Sequence, residues 1–168
     1  MSDLPADEVL EIGTPEQFKA LAHPTRQRLL FALGQHPATI SGLAQALAVH
    51  KGSVGHHLKV LRDAGMVRVV ETRQVRGGTE QYYQRTARKL VVHEAPAEHN
   101  AAVFAAMAHE VSRAAEPVVS LRHLRLTASA AERLGAELQR LLDEAEDAGD
   151  GEAVHGVLVA LYRRSEQV

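Results

Sequence analysis

Apolar residues recur at spacings of three and four from Phe18 to Leu61, broken at intervals by proline, glycine and small polar residues. That period predicts four short amphipathic helices. Thr14-Pro15-Glu16-Gln17 opens the first: a threonine cap, proline at the first helical position and glutamine three residues on. It runs through Phe18, Leu21 and Ala22 and stops before Pro24, because the residue preceding a proline avoids the helical region. The second covers 25–34, strongly apolar through Leu29, Leu30, Phe31 and Leu33, with Arg26 and Arg28 expected at the surface; His36-Pro37 ends it. Thr39 caps a third helix over 40–47, in which Ile40, Leu43, Ala44 and Leu47 share a face. After a tight connection, Ala48-Val49-His50, the fourth helix spans 50–64. Val54, Leu58 and Leu61 form its inward seam, and Gly65 is its stop signal.

The period then changes. Residues 66–71 are rich in valine and read as a strand, Gly77-Gly78 is a turn signal, and residues 80–85 read as the returning strand. Three helices and a hairpin predict a winged helix-turn-helix over residues 14–92, preceded by an acidic, frayed arm over 1–13. Beyond it, residues 97–115 form an alanine-rich helix with Val103, Phe104, Met107 and Val111 on one stripe, ended by Pro117. Residues 118–127 alternate leucine with polar residues, as a half-buried strand does. A charged amphipathic helix over 129–147 follows, with Leu134, Leu138, Leu141 and Leu142 at helical spacing, then a turn at Asp150-Gly151 and an apolar strand over 154–162. The fold class expected is mainly α with small β: a winged helix-turn-helix, a dimerisation helix and a small strand-helix-strand appendage, the last two making up residues 93–168.

Composition sharpens this only through its distribution. The 168 residues carry a net charge of −2, which is unpromising for a partner of polyanions. Residues 50–89, however, hold nine lysines and arginines against three acids, while five acids sit in residues 1–18 without a single Lys or Arg and eight in residues 129–152. A local basic block of this kind is the electrostatic footprint of nucleic-acid binding. There is no cysteine, so disulfides and thiolate chemistry are excluded. No run of apolar residues is long enough to span a bilayer, and the acidic start is unlike a signal peptide, so the expected location is the cytoplasm, away from membranes.

Three stretches carry a family resemblance. They are Phe18-Lys19-Ala20-Leu21-Ala22-His23-Pro24-Thr25-Arg26-Gln27-Arg28-Leu29-Leu30; Val54-Gly55-His56-His57-Leu58-Lys59-Val60-Leu61-Arg62-Asp63-Ala64-Gly65-Met66-Val67; and Gly77-Gly78-Thr79-Glu80-Gln81-Tyr82-Tyr83. Together they resemble the ArsR/SmtB-like family of bacterial winged helix-turn-helix transcriptional regulators, over residues 14–90. The resemblance implies a homodimeric DNA-binding protein, commonly dimerised through a helix after the wing, and so assigns Val103, Phe104, Met107 and Val111 to dimerisation. One departure stands out: Gly55 occupies a position where the family often carries serine, which removes one expected phosphate or base contact.

On the DNA reading, Ser53 and His56 face base edges, with His57, near the apolar seam, as a further candidate. Lys51, Gly52, Lys59 and Arg62 on the helix, with Arg73, Arg76 and Thr79 on the wing, lie along the backbone. The expected partner is double-stranded DNA with two-fold pseudo-symmetry, and the expected role is a repressor released by a signal, with a small-molecule effector in the C-terminal region as a further partner. The ten histidines invite a metal-sensor reading, with His93, His99, His109 and Glu110 as the ligands available. Against it, His99 and His109 are separated by nine residues where the family's dimer-helix site has ten, Ala97 stands in place of its aspartate, and one residue of slip turns a helical ligand by about 100°; scattered surface histidines are the simpler reading. No phosphate-cradling glycine loop, nucleophile elbow or paired-carboxylate motif is present, so neither an enzyme nor a cofactor is expected. The competing class is a dimerisation or scaffold protein that keeps the winged fold without reading DNA.

Overall fold

In the computed structural model, residues 7–92, 95–146, 148–149 and 151–164 are described. The chain divides into two units, one ending at Ala115 and one beginning at Glu116. The mainly α fold with small β is present. In the first unit the elements are β1 (Asp7–Ile12), α1 (Pro15–Leu21), α2 (Pro24–Leu33), β2 (Ala38–Thr39), α3 (Ile40–Leu47), α4 (Lys51–Asp63), β3 (Val67–Val75), β4 (Gly78–Arg85), β5 (Ala87–Val92) and α5 (Ala97–Val111).

The helix starts form as their local chemistry dictates. Thr14 accepts from the Gln17 N–H at 3.2 Å while Gln17 Oε1 accepts from the Thr14 N–H at 3.1 Å, a reciprocal capping box at α1. The Thr39 hydroxyl accepts from the Gly42 N–H at 3.1 Å and caps α3. Gly65, at φ 76°, closes α4 in the left-handed conformation that glycine tolerates, and the Met66 N–H returns to the Leu61 carbonyl at 2.9 Å. Leu29, Leu30 and Leu33 of α2, Leu43 of α3, and Val54, Leu58 and Leu61 of α4 are fully buried in one core, closed below by Met66 and Val67. The seam predicted for the fourth helix is therefore the seam that packs.

The wing is the β3–β4 hairpin, antiparallel, with Val75 opposite Gly78 and Gly77 at φ 99° in the turn. Its register shifts between Val69 and Glu71, a bulge that bends the hairpin, and β2 extends the sheet on the other edge of β4 to give the order β2-β4-β3.

The first unit departs from expectation in two places. The arm over 1–13 is not wholly frayed. Its Asp7–Ile12 segment is β1, paired in parallel with β5, and Ile12 is buried in the core; residues 1–6 lie outside the described residues. The acids of this segment masked the apolar positions Leu10 and Ile12. Arg26 and Arg28 are not free surface cations. Arg26 donates to the Lys19 carbonyl at 2.8 Å and to the Ala20 carbonyl, and Arg28 donates to the Leu47 carbonyl at 2.8 Å, so they satisfy the open carbonyls at the ends of α1 and α3.

In the second unit, α6 (Ala128–Asp143) forms under a Thr127 cap that accepts from Ala130 N–H at 3.2 Å. The strands expected at 118–127 and 154–162 are absent: both segments run without helix or ladder, and their large apolar side chains are exposed.

Candidate nucleic-acid interface

The site is built on α3, the turn after it and α4. Ala48 adopts the left-handed conformation, φ 53° and ψ 47°, and turns the chain from α3 into α4. His50 is the N-cap of α4 but makes no side-chain capping bond. The first N–H groups of this helix are thus left to whatever lies in front of them, and the helix dipole adds positive potential there. Lys51, Gly52 and His56 are exposed and Ser53 is half-exposed, all within the first two turns. Neither Lys51 nor Arg76 at the wing tip has an ion-pair partner among the described residues.

Lys59 and Arg62 are exposed further along α4. Lys59 Nζ lies 3.0 Å from Asp63 and Arg62 Nε 4.0 Å from the same carboxylate. Solvated pairs of this kind are worth at most about 1 kcal/mol, so a phosphate can displace Asp63 at little cost. Arg73 is paired on the wing. Its guanidinium grips Glu71 through two bonds, 2.5 and 2.9 Å, lies 4.5 Å over the Tyr82 ring, and its pKa is raised by that carboxylate. Arg73, Arg76 and Thr79 all stand exposed on the wing.

His57 is the clearest departure. It is a candidate for base edges in the sequence, but it is 9 % exposed and turned toward α2, with its ring centroid 4.5 Å from His23 and 5.6 Å from His56. The inward seam of α4 is one residue wider than its three aliphatic positions suggest. Burial, then His23, Arg26 and His56, push the His57 pKa down to about 4. It is therefore neutral at pH 7, and its Nδ1 has no hydrogen-bond partner. His23 caps α2, its Nδ1 accepting from the Thr25 N–H at 3.1 Å, and burial lowers its pKa too. Of the two adjacent histidines, only His56 faces out. Position 55 also faces inward in part. A Cβ there would lie 3.7 Å from Ile40 Cδ1, in ordinary contact, so the glycine leaves space beside α3.

On α5, Ala102 and Ala106 are buried, whereas Val103, Met107 and Val111 are half-buried and Phe104 is 51 % exposed. The small residues pack inward and the larger apolar stripe is left over. No three His, Cys, Asp or Glu side chains come together as a metal site among the described residues. His99 and His109 stand ten positions apart, about 15 Å of helical rise, and His93 lies outside the described residues. No helix among the described residues is long and apolar enough to cross a membrane.

A helix-turn-helix domain model matches residues 21–70, from the end of α1 through α4 into β3. Over 80 residues the chain is 36 % identical to the transcriptional repressor SmtB homolog of Synechocystis sp., covering 45 % of this chain and 57 % of that protein. Over 63 residues it is 33 % identical to the HTH-type transcriptional regulator NmtR of Mycobacterium tuberculosis, covering 38 % and 52 %. The chain thus spans little more than half the length of these relatives. Among solved structures, a homodimeric winged helix-turn-helix DNA-binding domain from Mycobacterium bovis matches 62 % of this chain and 82 % of its own at 22 % identity. Its TM-score is 0.35, a superposition too loose to weigh on function.

Proposed function

We propose that this chain, an ArsR/SmtB-like winged helix-turn-helix protein, is a sequence-specific DNA-binding transcriptional regulator. It acts in the cytoplasm as a homodimeric repressor and performs no catalysis. The observation that carries the reading is the first two turns of α4: an uncapped helix start with Lys51, Gly52, Ser53 and His56 facing outward, fixed from behind by a fully buried Val54, Leu58 and Leu61. An outward helix on a rigid seam suits the major groove, where donors read base edges.

The contacts divide by chemistry. Ser53 and His56 reach base edges. Lys51, with the open N–H groups of the helix start, takes phosphate; Lys59 and Arg62 do so by leaving Asp63. Arg73, Arg76 and Thr79 on the wing meet the adjacent backbone. His57 acts from behind, by holding the helix seam. The apolar stripe of α5, Val103, Phe104, Met107 and Val111, joins two copies, so that two α4 helices enter successive major grooves about 34–36 Å apart and the operator has two-fold pseudo-symmetry. Binding by a signal molecule releases the repressor.

The division is tested by binding the Lys51→Ala and His56→Ala proteins to a panel of operator variants. Lys51→Ala weakens all sequences alike and lowers the salt slope by about 1. His56→Ala flattens the ranking of the panel at one or two base pairs, each worth about 1–3 kcal/mol. If the two variants behave identically, the division is wrong.

A further inference from the structure

The second unit is not finished by its own chain. The 154–162 segment is apolar on both faces, Val157, Val159 and Leu161 on one and Val154, Leu158 and Tyr162 on the other. That is the pattern of an interior strand, with neighbours on both edges and cover on both faces. Yet Val157 is 67 % and Tyr162 61 % exposed, and neither this segment nor 118–127 forms a ladder. α6 lies beside the segment at Gly135, where a Cβ would be 3.5 Å from Leu161 Cδ2. No residue described in this unit is buried.

We infer that the extended segments 118–127 and 154–162 form an intermolecular β-sheet with the same segments of a second copy, the two α6 helices covering it. The inference rests on the homodimer proposed above.

Three features favour a second copy as the occupant. The first is stoichiometry. One chain offers two strands and one helix, and a two-stranded sheet is marginal at best in water; two chains offer four strands and two helices, enough for a stable sheet with a covered face. The second is exposure. Thirteen large apolar side chains are exposed in this unit, well beyond the singly scattered apolar exposure that is normal on a monomer. The third is closure: a two-fold axis pairs the same segments of two copies without leaving open strand edges.

The test mixes isotope-labelled and unlabelled full-length chains, measures the assembly by sedimentation equilibrium, and records isotope-filtered contacts from the Val and Leu methyls of 154–162. A dimer with contacts between copies at these methyls is the expected result. Leu158→Asp should raise the dimer dissociation constant at least tenfold while leaving the helical signal of the first unit intact. A dimer whose 154–162 methyls contact only their own copy overturns the inference and leaves the α5 dimer standing. An unchanged dissociation constant for Leu158→Asp overturns it as well. A monomeric wild type removes both this inference and the homodimer beneath it.

Discussion

His57 shows how one side chain separates two readings of the same helix. In the sequence it is half of a His-His pair on a basic helix; in the fold it is a core residue with an unsatisfied nitrogen. Its folded pKa, about 4, lies below the ordinary value of 6.5. Between those values the unfolded chain binds a proton that the folded chain excludes. Stability is therefore fully present above pH 6.5, falls as pH drops through this window, and levels off below pH 4. His23 adds a loss of the same sign, while the positive charge of Arg26 and any charge on His56 face the same ring and oppose its protonation. Urea midpoints at pH 7 and pH 5 should differ less in His57→Leu than in wild type. At pH 7 the variant should lose little, because it removes a buried polar atom that has no partner. An undiminished acid loss in His57→Leu would place the titrating group elsewhere. Gly55 makes a second residue-scale case. Since a Cβ there meets only ordinary contact, Gly55→Ala should stabilise α4 by about 0.5–1 kcal/mol in thermal or urea unfolding. A loss would show that the space beside Ile40 is needed.

At the scale of elements, the turn between α3 and α4 carries a cost. Ala48 holds a left-handed conformation that its Cβ disfavours, so Ala48→Gly should raise stability by roughly 0.5–1 kcal/mol, measured by urea unfolding, and keep the helix-turn-helix angle. The seam tolerates less: Leu58→Ala empties part of a fully buried site and should cost about 2–5 kcal/mol in the same measurement. These elements were legible in the sequence because their apolar period is satisfied inside one chain. Caps at Thr14 and Thr39, the seam of α4 and the Gly77 turn all act locally, so local patterns reveal them. β1 was not legible, because its pairing with β5 joins residues some eighty positions apart and acids interrupt its apolar positions. The roles of Arg26 and Arg28 were hidden for a related reason: their partners are backbone carbonyls of other helices, which leave no mark on residue type. His57, near the seam in the sequence, was legible only in part, because the width of a buried face depends on what packs against it, here His23.

At the scale of the molecule, the proposed function ties dimerisation through the α5 stripe to DNA binding. Phe104→Asp should weaken the dimer and, through loss of the second half-site, weaken operator binding by at least tenfold, with little change in the affinity of one protomer for random duplex. Gel filtration alongside binding titrations checks both halves of that expectation. The strands expected in the second unit, one from alternation over 118–127 and one from the apolar run over 154–162, do not form, because local pattern alone supplies no pairing edge. Net charge misleads at this scale as well, since the acids at the two ends of the sequence offset the basic block of residues 50–89. The most direct test of the whole account is a titration of the full-length chain against its own promoter duplex over a range of salt, with excess random duplex as competitor. Lys51 and Arg76 from each of two protomers give at least four phosphate contacts, so log K should fall against log salt with a slope of about −4 or steeper, and binding should survive the competitor. Binding that the competitor abolishes, or no binding at any salt, would contradict it.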